Sequence, residues 1–235
     1  MILQPPVEPL YRELWSGALA AFGRGAVEID PHLAHRRADG RLGLSVIARP
    51  DADTLERLAD IQHALARIEP DQHHYRPDEI HITVLSLFTA TENCAPYFAR
   101  AHLYQEAVRA ALDDAGAFSI RLCGITASPS SVMVQGYPED DELERLRGRL
   151  RAELTARGLG SGLDERYRVI SAHCTVMRMA TKPRDLERLV GFLSSHRKEE
   201  YGRWTVRSVQ FVKNDWYMSH DRVELLAEYP LGAPR

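Results

Sequence analysis

Two short stretches place a histidine two residues ahead of a threonine and a valine: His81-Ile82-Thr83-Val84 and His173-Cys174-Thr175-Val176. With ten histidines and nine threonines in 235 residues, chance supplies about 0.4 H-x-T triplets, and a following valine lowers that to a few hundredths. In an extended strand side chains alternate between faces, so each histidine shares a face with its threonine. Ile82 and Val84, like Cys174 and Val176, take the opposite face, toward a core. An imidazole, with an ordinary pKa of about 6.5, accepts a proton when neutral and donates one when charged. Two of them in one cleft can take a proton from an attacking hydroxyl and return one to a departing oxygen. Threonine hydroxyls fixed by β-branching can donate to the non-bridging oxygens of a phosphate. These groups suit displacement at phosphorus, and the scheme requires no metal and no other cofactor.

Bringing two such strands face to face needs a repeated scaffold. Residues 41–48 read as a strand, and "DADTLERLADIQHALARI", residues 51–68, as an amphipathic helix with Asp53 and Glu56 as a capping pair. The first histidine strand follows. A helix is expected over 96–115, then strands from Phe118 and Ser131 joined by a Ser/Pro turn, then a helix over 139–157 that buries Leu143, Leu146, Leu150 and Leu154. A glycine-rich loop leads to the second histidine strand, a helix over 183–195, and two closing strands, "RWTVRSVQFVKN" and "RVELLAEYPL". "RPDADTLERL" overlays "YPEDDELERL" with Leu55 on Leu143 and Leu58 on Leu146, an offset of 88, whereas the histidines lie 92 apart, so four extra loop residues reconcile the registers.

The order strand, helix, histidine strand therefore occurs twice. The expected fold class is α+β: two pseudo-symmetric α/β lobes whose antiparallel-rich sheets form a central cleft. Residues 41–235 form this one bilobal domain, with pseudo-repeats over 41–115 and 118–230. Residues 1–40, with a helix candidate around Pro9 to Phe22, form an N-terminal helical extension that covers or extends the cleft.

On these motifs and this order of elements the sequence resembles the two-histidine (2H) phosphoesterases, marked by an H-x-[T/S]-x motif in each of two pseudo-symmetric lobes. It resembles in particular the bacterial branch of 2′-5′ RNA ligases and cyclic nucleotide phosphodiesterases, over residues 41–230. The resemblance implies His81 and His173 as acid and base, Thr83 and Thr175 on the phosphate, and metal-independent attack on a 2′,3′-cyclic phosphate or a 2′-5′ linkage. Arg178 completes an H-x-T-x-x-R pattern seen in some of these proteins. After the first motif that place holds Ser86. Regular strand parity turns Arg178 away from the cleft unless a bulge intervenes. The leading expectation is hydrolysis of a 2′,3′-cyclic phosphate on a nucleotide or RNA end. The alternatives are a 2′-5′ RNA ligase or 2′-5′ phosphodiesterase, and a nucleotide- or RNA-binding module without turnover.

Tyr75, Tyr137, Trp216 and Tyr217 are candidates to stack a nucleobase. The "HHYRP" run (His73 to Pro77) and "HLAH" (His32, His35) lack cysteine or carboxylate ligands at recognised spacing and read as loop histidines rather than metal sites. Arg166, Arg168, Lys182 and Arg184 cluster around the second motif, where they can guide a phosphate. Phosphate-binding glycine loops, dinucleotide fingerprints and serine-hydrolase elbows are missing from the sequence.

A net charge of −3 argues against duplex DNA as a partner, since that surface needs clustered cations. Cys94, Cys123 and Cys174 have neither disulfide nor zinc spacing, which fits a reducing cytoplasm. Apolar runs are too short for a membrane span or signal segment, so no membrane association is expected.

Overall fold

The computed structural model describes residues 7–165 and 168–233; Arg166, one of the candidate guiding cations, lies outside the described residues. The chain is mixed α and β, and its strands join into one antiparallel sheet. They are β1 (Leu42–Ala48), β2 (His73–His74), β3 (Ile82–Thr91), β4 (Phe118–Ser128), β5 (Ser131–Pro138), β6 (Cys174–Arg178), β7 (Glu200–Val206), β8 (Ser208–Asp215) and β9 (Glu224–Pro230). Their order is β7-β4-β5-β6-β3-β1-β8-β9, with β2 paired to β6.

The middle of this order carries the architecture. The two histidine strands, β3 and β6, meet through the pair Ile82–Cys174. From that seam β3 leads to β1 and β8, and β6 leads to β5 and β4, so the two halves mirror one another. The repeat expected from the sequence is present as β1, α2, β3 and β5, α5, β6, where α2 is Ala52–Ile68 and α5 is Glu142–Ala156. Each helix crosses to the other half: α2 packs on β6 and β7, and α5 packs on β3. This exchange ties the lobes together. Leu58, Ile61 and Leu65 of α2, and Leu143, Leu146, Leu150 and Leu154 of α5, join Ile82, Val84, Cys174 and Val176 in one buried core. Apolar burial of this kind is the main favourable term in folding.

Several local expectations are corrected. Asp51, not Asp53, caps α2, accepting from the Thr54 amide at 2.9 Å. The helix expected over 96–115 is a single turn, α3 (Ala95–Phe98), followed by α4 (Ala101–Leu112), because Arg100 leaves helical geometry between them. "RWTVRSVQFVKN" is two strands that part at Arg207: β7 joins β4 at one end of the sheet, while β8 returns to β1 in the other half. His73 and His74 form β2 instead of a loop, and His32 and His35 sit in a 3-10 helix (Pro31–Ala38).

Ahead of β1, helix α1 (Val7–Gly23) lies against β4, and helix α6 (Leu186–Ser195) lies against α2 and β4. Tyr11 of α1 is fully buried, and its hydroxyl donates to the Gly136 carbonyl and accepts from the Gly136 amide. Gly136 is required here, since a Cβ would fall 1.9 Å from the Ala172 carbonyl oxygen. None of the helices described is long and apolar enough to cross a membrane.

Candidate active site

His81 and His173 each occupy the position just before a histidine strand, at the seam of the two halves. Continuing the antiparallel register of Ile82–Cys174, in which paired residue numbers sum to 256, sets His81 across from Thr175 and Thr83 across from His173. All four side chains line one open cleft of about 850 Å³, a volume within the range of small-molecule sites. The histidines and threonines are half-buried there, while Ile82 and Cys174 are wholly buried on the opposite face.

Both strands then break alternation at the same place. Val46 pairs with Leu85 and Ile47 with Thr83, leaving Val84 as an extra residue; Val132 pairs with Met177 and Met133 with Thr175, leaving Val176 extra. The valine of each H-x-T-V motif is therefore the inserted residue of a β-bulge. A bulge reverses parity beyond it. Arg178 consequently shares the cleft face with Thr175, and Ser86 occupies the equivalent place in the other half. Ser131, across from Arg178, and Ser45, across from Ser86, complete this matched set on the cleft wall.

Arg178 is held from behind. Its Nε donates to the Tyr75 hydroxyl at 2.7 Å, the Tyr75 amide donates to the Val176 carbonyl of the bulge at 3.2 Å, and Gln62 of α2 donates to the Tyr75 carbonyl. The other bulge is held by Arg147 of α5. This guanidinium, 1% exposed, donates from Nε to the Val84 carbonyl (2.8 Å), from Nη2 to the Thr83 (3.1 Å) and Ser171 (2.6 Å) carbonyls, and from Nη1 to the Ile170 carbonyl (3.0 Å). One buried cation thus braces both motif strands from the core side. Burial lowers its pKa to about 10, so it stays charged at neutral pH.

The imidazoles differ in their partners. Nδ1 of His81 lies 2.7 Å from the Glu79 carbonyl, which can only accept, so in the neutral ring Nδ1 carries the proton and Nε2 a lone pair. Nδ1 of His173 lies 2.8 Å from the Ser171 hydroxyl, which can donate or accept. Burial lowers the pKa of each ring to about 4; nearby Arg49 and Arg178 add to the shift at His81, and His81, Arg178 and Arg147 add to it at His173. Both rings are neutral at pH 7 in the unliganded protein. Burial raises the Cys174 thiol to about 12, which leaves it protonated and inert.

The four aromatic candidates separate. Trp216 lines the cleft half-buried, with the Arg41 guanidinium 4.6 Å from its ring centroid. Tyr75 is buried and presents its hydroxyl to Arg178, and Tyr217, 1% exposed, donates its hydroxyl to Asp30; neither offers an open face to a base. Tyr137 lies outside the cleft lining, edge-on to Tyr11 and bonded to Glu8 and Gln135. Of the cations near the second motif, Arg168 reaches the cleft and pairs with Glu144, and Arg184 pairs with Asp71 outside it. Among the described residues no cluster of three or more His, Cys, Asp or Glu is placed to hold a metal ion.

The sequence reading missed Arg147, Ser45, Ser131 and Ser171. Arg147 stands among Arg145, Arg149 and Arg151 on α5, and only its place beside Leu146 and Leu150 distinguished it.

No protein-family model and no curated protein matches the sequence. Solved structures do match. TT0787 of Thermus thermophilus superposes with a TM-score of 0.57 at 16% identity, covering 82% of this chain and 100% of its own. E. coli LigT complexed with 3′-AMP gives 0.51 at 14% identity, covering 81% and 98%. A structure described as a phosphoesterase gives 0.53 at 14% identity, with the same coverage. About a fifth of this chain is surplus to these matches, comparable in length to the segment ahead of β1. At the level of fold, the chain is a two-lobed protein of the kind seen in LigT and this phosphoesterase.

Proposed function

We propose that the protein is a metal-independent phosphodiesterase that opens the 2′,3′-cyclic phosphate of a nucleotide by acid–base catalysis from His81 and His173. The observation that carries this reading is the convergence of both H-x-T faces and Arg178 on one cleft. LigT, similar in fold, has been solved with 3′-AMP, with ATP and with phosphate, which supports a nucleotide as the ligand.

Nε2 of His81, whose lone pair the Glu79 carbonyl fixes toward the cleft, takes a proton as a water oxygen bonds to phosphorus. The bond from phosphorus to one ribose oxygen breaks, and that oxygen takes a proton from His173. Charge building on the non-bridging oxygens is met by the Thr83 and Thr175 hydroxyls and by Arg178, whose guanidinium Tyr75 orients. With both rings near pKa 4 when the cleft is empty, His173 acquires its proton together with the anionic substrate, whose charge raises the proton affinity of a half-buried imidazole. The same site with a ribose hydroxyl in place of water would perform 2′-5′ joining or its reversal.

The test is turnover of a 2′,3′-cyclic mononucleotide beside a 2′-5′ dinucleotide, with and without chelator. Activity on the first that survives chelator supports the reading, and His81→Ala or His173→Ala should each cost about 10² to 10⁴ in kcat. Preference for the dinucleotide moves the assignment to the 2′-5′ reaction. Binding of 3′-AMP with no cleavage at any pH marks a binding module instead.

A further inference from the structure

The segment ahead of β1 is part of the cleft. Leu10 and Leu14 of α1, and the stretch from Glu28 to His32, line its wall. The stretch is fastened at both sides of the seam. The Glu28 amide donates to the Pro129 carbonyl and the Asp30 amide to the Met179 carbonyl, each at 3.0 Å, and the Tyr217 hydroxyl donates to Asp30 at 2.9 Å. With Tyr11, Ala18 and Phe22 in the core, this is a fixed wall, not a hinged lid.

Its chemistry is not that of a surface that follows a nucleic acid strand. Of the cations lining the cleft among the described residues, Arg41 is paired with Asp39, and Arg168 lies 3.5 Å from Glu144, a carboxylate that it shares with Arg147 and Arg151. Arg178, beside the histidines, has only the Tyr75 hydroxyl and no carboxylate within ion-pair range among the described residues. Toward the rim the signs reverse. Glu28 on the wall and Glu165 on the facing loop are exposed lining residues whose carboxylates have no ion pair among the described residues. Next to Glu28 on the same wall, Ile29 is 45% exposed, one of two large apolar side chains so exposed among the described residues. Among the described lining residues, the arginine with no carboxylate in ion-pair range is thus the one at the place of a single phosphate, and a polyanion continuing past it along the wall would meet Glu28 and the Ile29 hydrocarbon. Strand-binding grooves do the opposite and track the backbone with cations.

We infer that the wall formed by residues 7–32 restricts the site to substrates with a single phosphate, namely monomeric 2′,3′-cyclic nucleotides, and excludes the 2′,3′-cyclic ends of longer RNA chains. This rests on the phosphodiesterase reading above and narrows its substrate class. Ile29, exposed, and Trp216, half-buried with the Arg41 guanidinium over its ring, line the cleft as apolar surface for the one base that remains.

The experiment compares kcat/KM for a 2′,3′-cyclic mononucleotide with that for an eight-nucleotide RNA ending in the same cyclic phosphate. The wild-type protein should favour the mononucleotide by about tenfold or more. In the double variant Glu28→Lys, Glu165→Lys, both changes at exposed positions, the ratio should fall by about tenfold, and the gained RNA activity should weaken with added salt. Wild-type preference for the RNA, or a ratio indifferent to the double charge reversal, overturns the inference. Equilibrium binding of 3′-AMP against an eight-nucleotide RNA 3′-phosphate reads the same preference without turnover. If neither cyclic substrate is cleaved but 3′-AMP still binds more tightly than the RNA, the phosphodiesterase reading fails while the size restriction stands.

Discussion

Arg147→Lys isolates the brace behind the two motifs. The guanidinium satisfies four carbonyls, those of Thr83 and Val84 on one strand and Ile170 and Ser171 on the approach to the other. Lysine keeps the positive charge, so the cost of burying a cation is nearly unchanged. What it loses is the planar fork, because three donors on one nitrogen cannot span carbonyls that three separate nitrogens now reach. Two carbonyls left without donors at about 1–3 kcal/mol each give a loss of about 2–6 kcal/mol in stability. Urea unfolding followed by tryptophan fluorescence measures it. Activity should fall with it, by about 10² in kcat, since a shift of about 1 Å between catalytic groups has that effect. A variant within about 0.5 kcal/mol of wild type with unchanged kcat would refute the reasoning, as surface substitutions commonly fall in that range.

Other consequences can be checked with equal directness. Since His73, His81 and His173 all have folded pKa values of about 4, below an unfolded value of about 6.5, they bind protons more readily in the unfolded chain. Stability is complete above pH 6.5 and declines as pH falls toward 4, by up to about 1.4 kcal/mol per pH unit for each ring; a flat urea midpoint between pH 6.5 and 5 would contradict this. For the same reason kcat/KM should be bell-shaped with its maximum on the acid side of neutrality, and kcat should peak at higher pH because bound phosphate raises both rings. Arg178→Ala should lower kcat/KM by about 10² to 10³. Tyr75→Phe, which removes only the hydroxyl that orients Arg178, should lower it by about tenfold, the low end of the worth of a hydrogen bond to a charged group. His173→Ala should regain activity on a nucleoside 3′-aryl phosphodiester, whose leaving group needs no proton, whereas His81→Ala should not; equal rescue of both would reverse or void the assignment of acid and base.

How far the sequence reached follows from what each feature depends on. The H-x-T faces and the doubled order of strand, helix and strand were legible because alternation and helical spacing are local. The bulges were not: nothing in "HITVLS" or "HCTVMR" shows that the valine is inserted, and so the parity rule turned Arg178 away from the cleft that it enters. Arg147 could not be told from its neighbours on α5, since its role lies in carbonyls contributed by residues 63 and 64 positions earlier and 23 and 24 positions later. The tyrosines were chosen for ring chemistry, but Tyr75 and Tyr217 are used through their hydroxyls. The corner at Arg207, by contrast, was legible: the buried apolar positions are Trp204 and Val206 before it and Val209 and Phe211 after it, so the alternation slips by one at Arg207-Ser208, and a single strand drawn through the stretch passed over that slip.

Catalysis by this cleft requires one phosphate to be held by both halves of the sheet. A crystal soaked with 3′-AMP tests this directly. The prediction is a phosphate with its oxygens about 3 Å from Nε2 of both His81 and His173 and from the hydroxyls of Thr83 and Thr175. A phosphate that touches one histidine only, or that binds away from the Ile82–Cys174 seam, would contradict it.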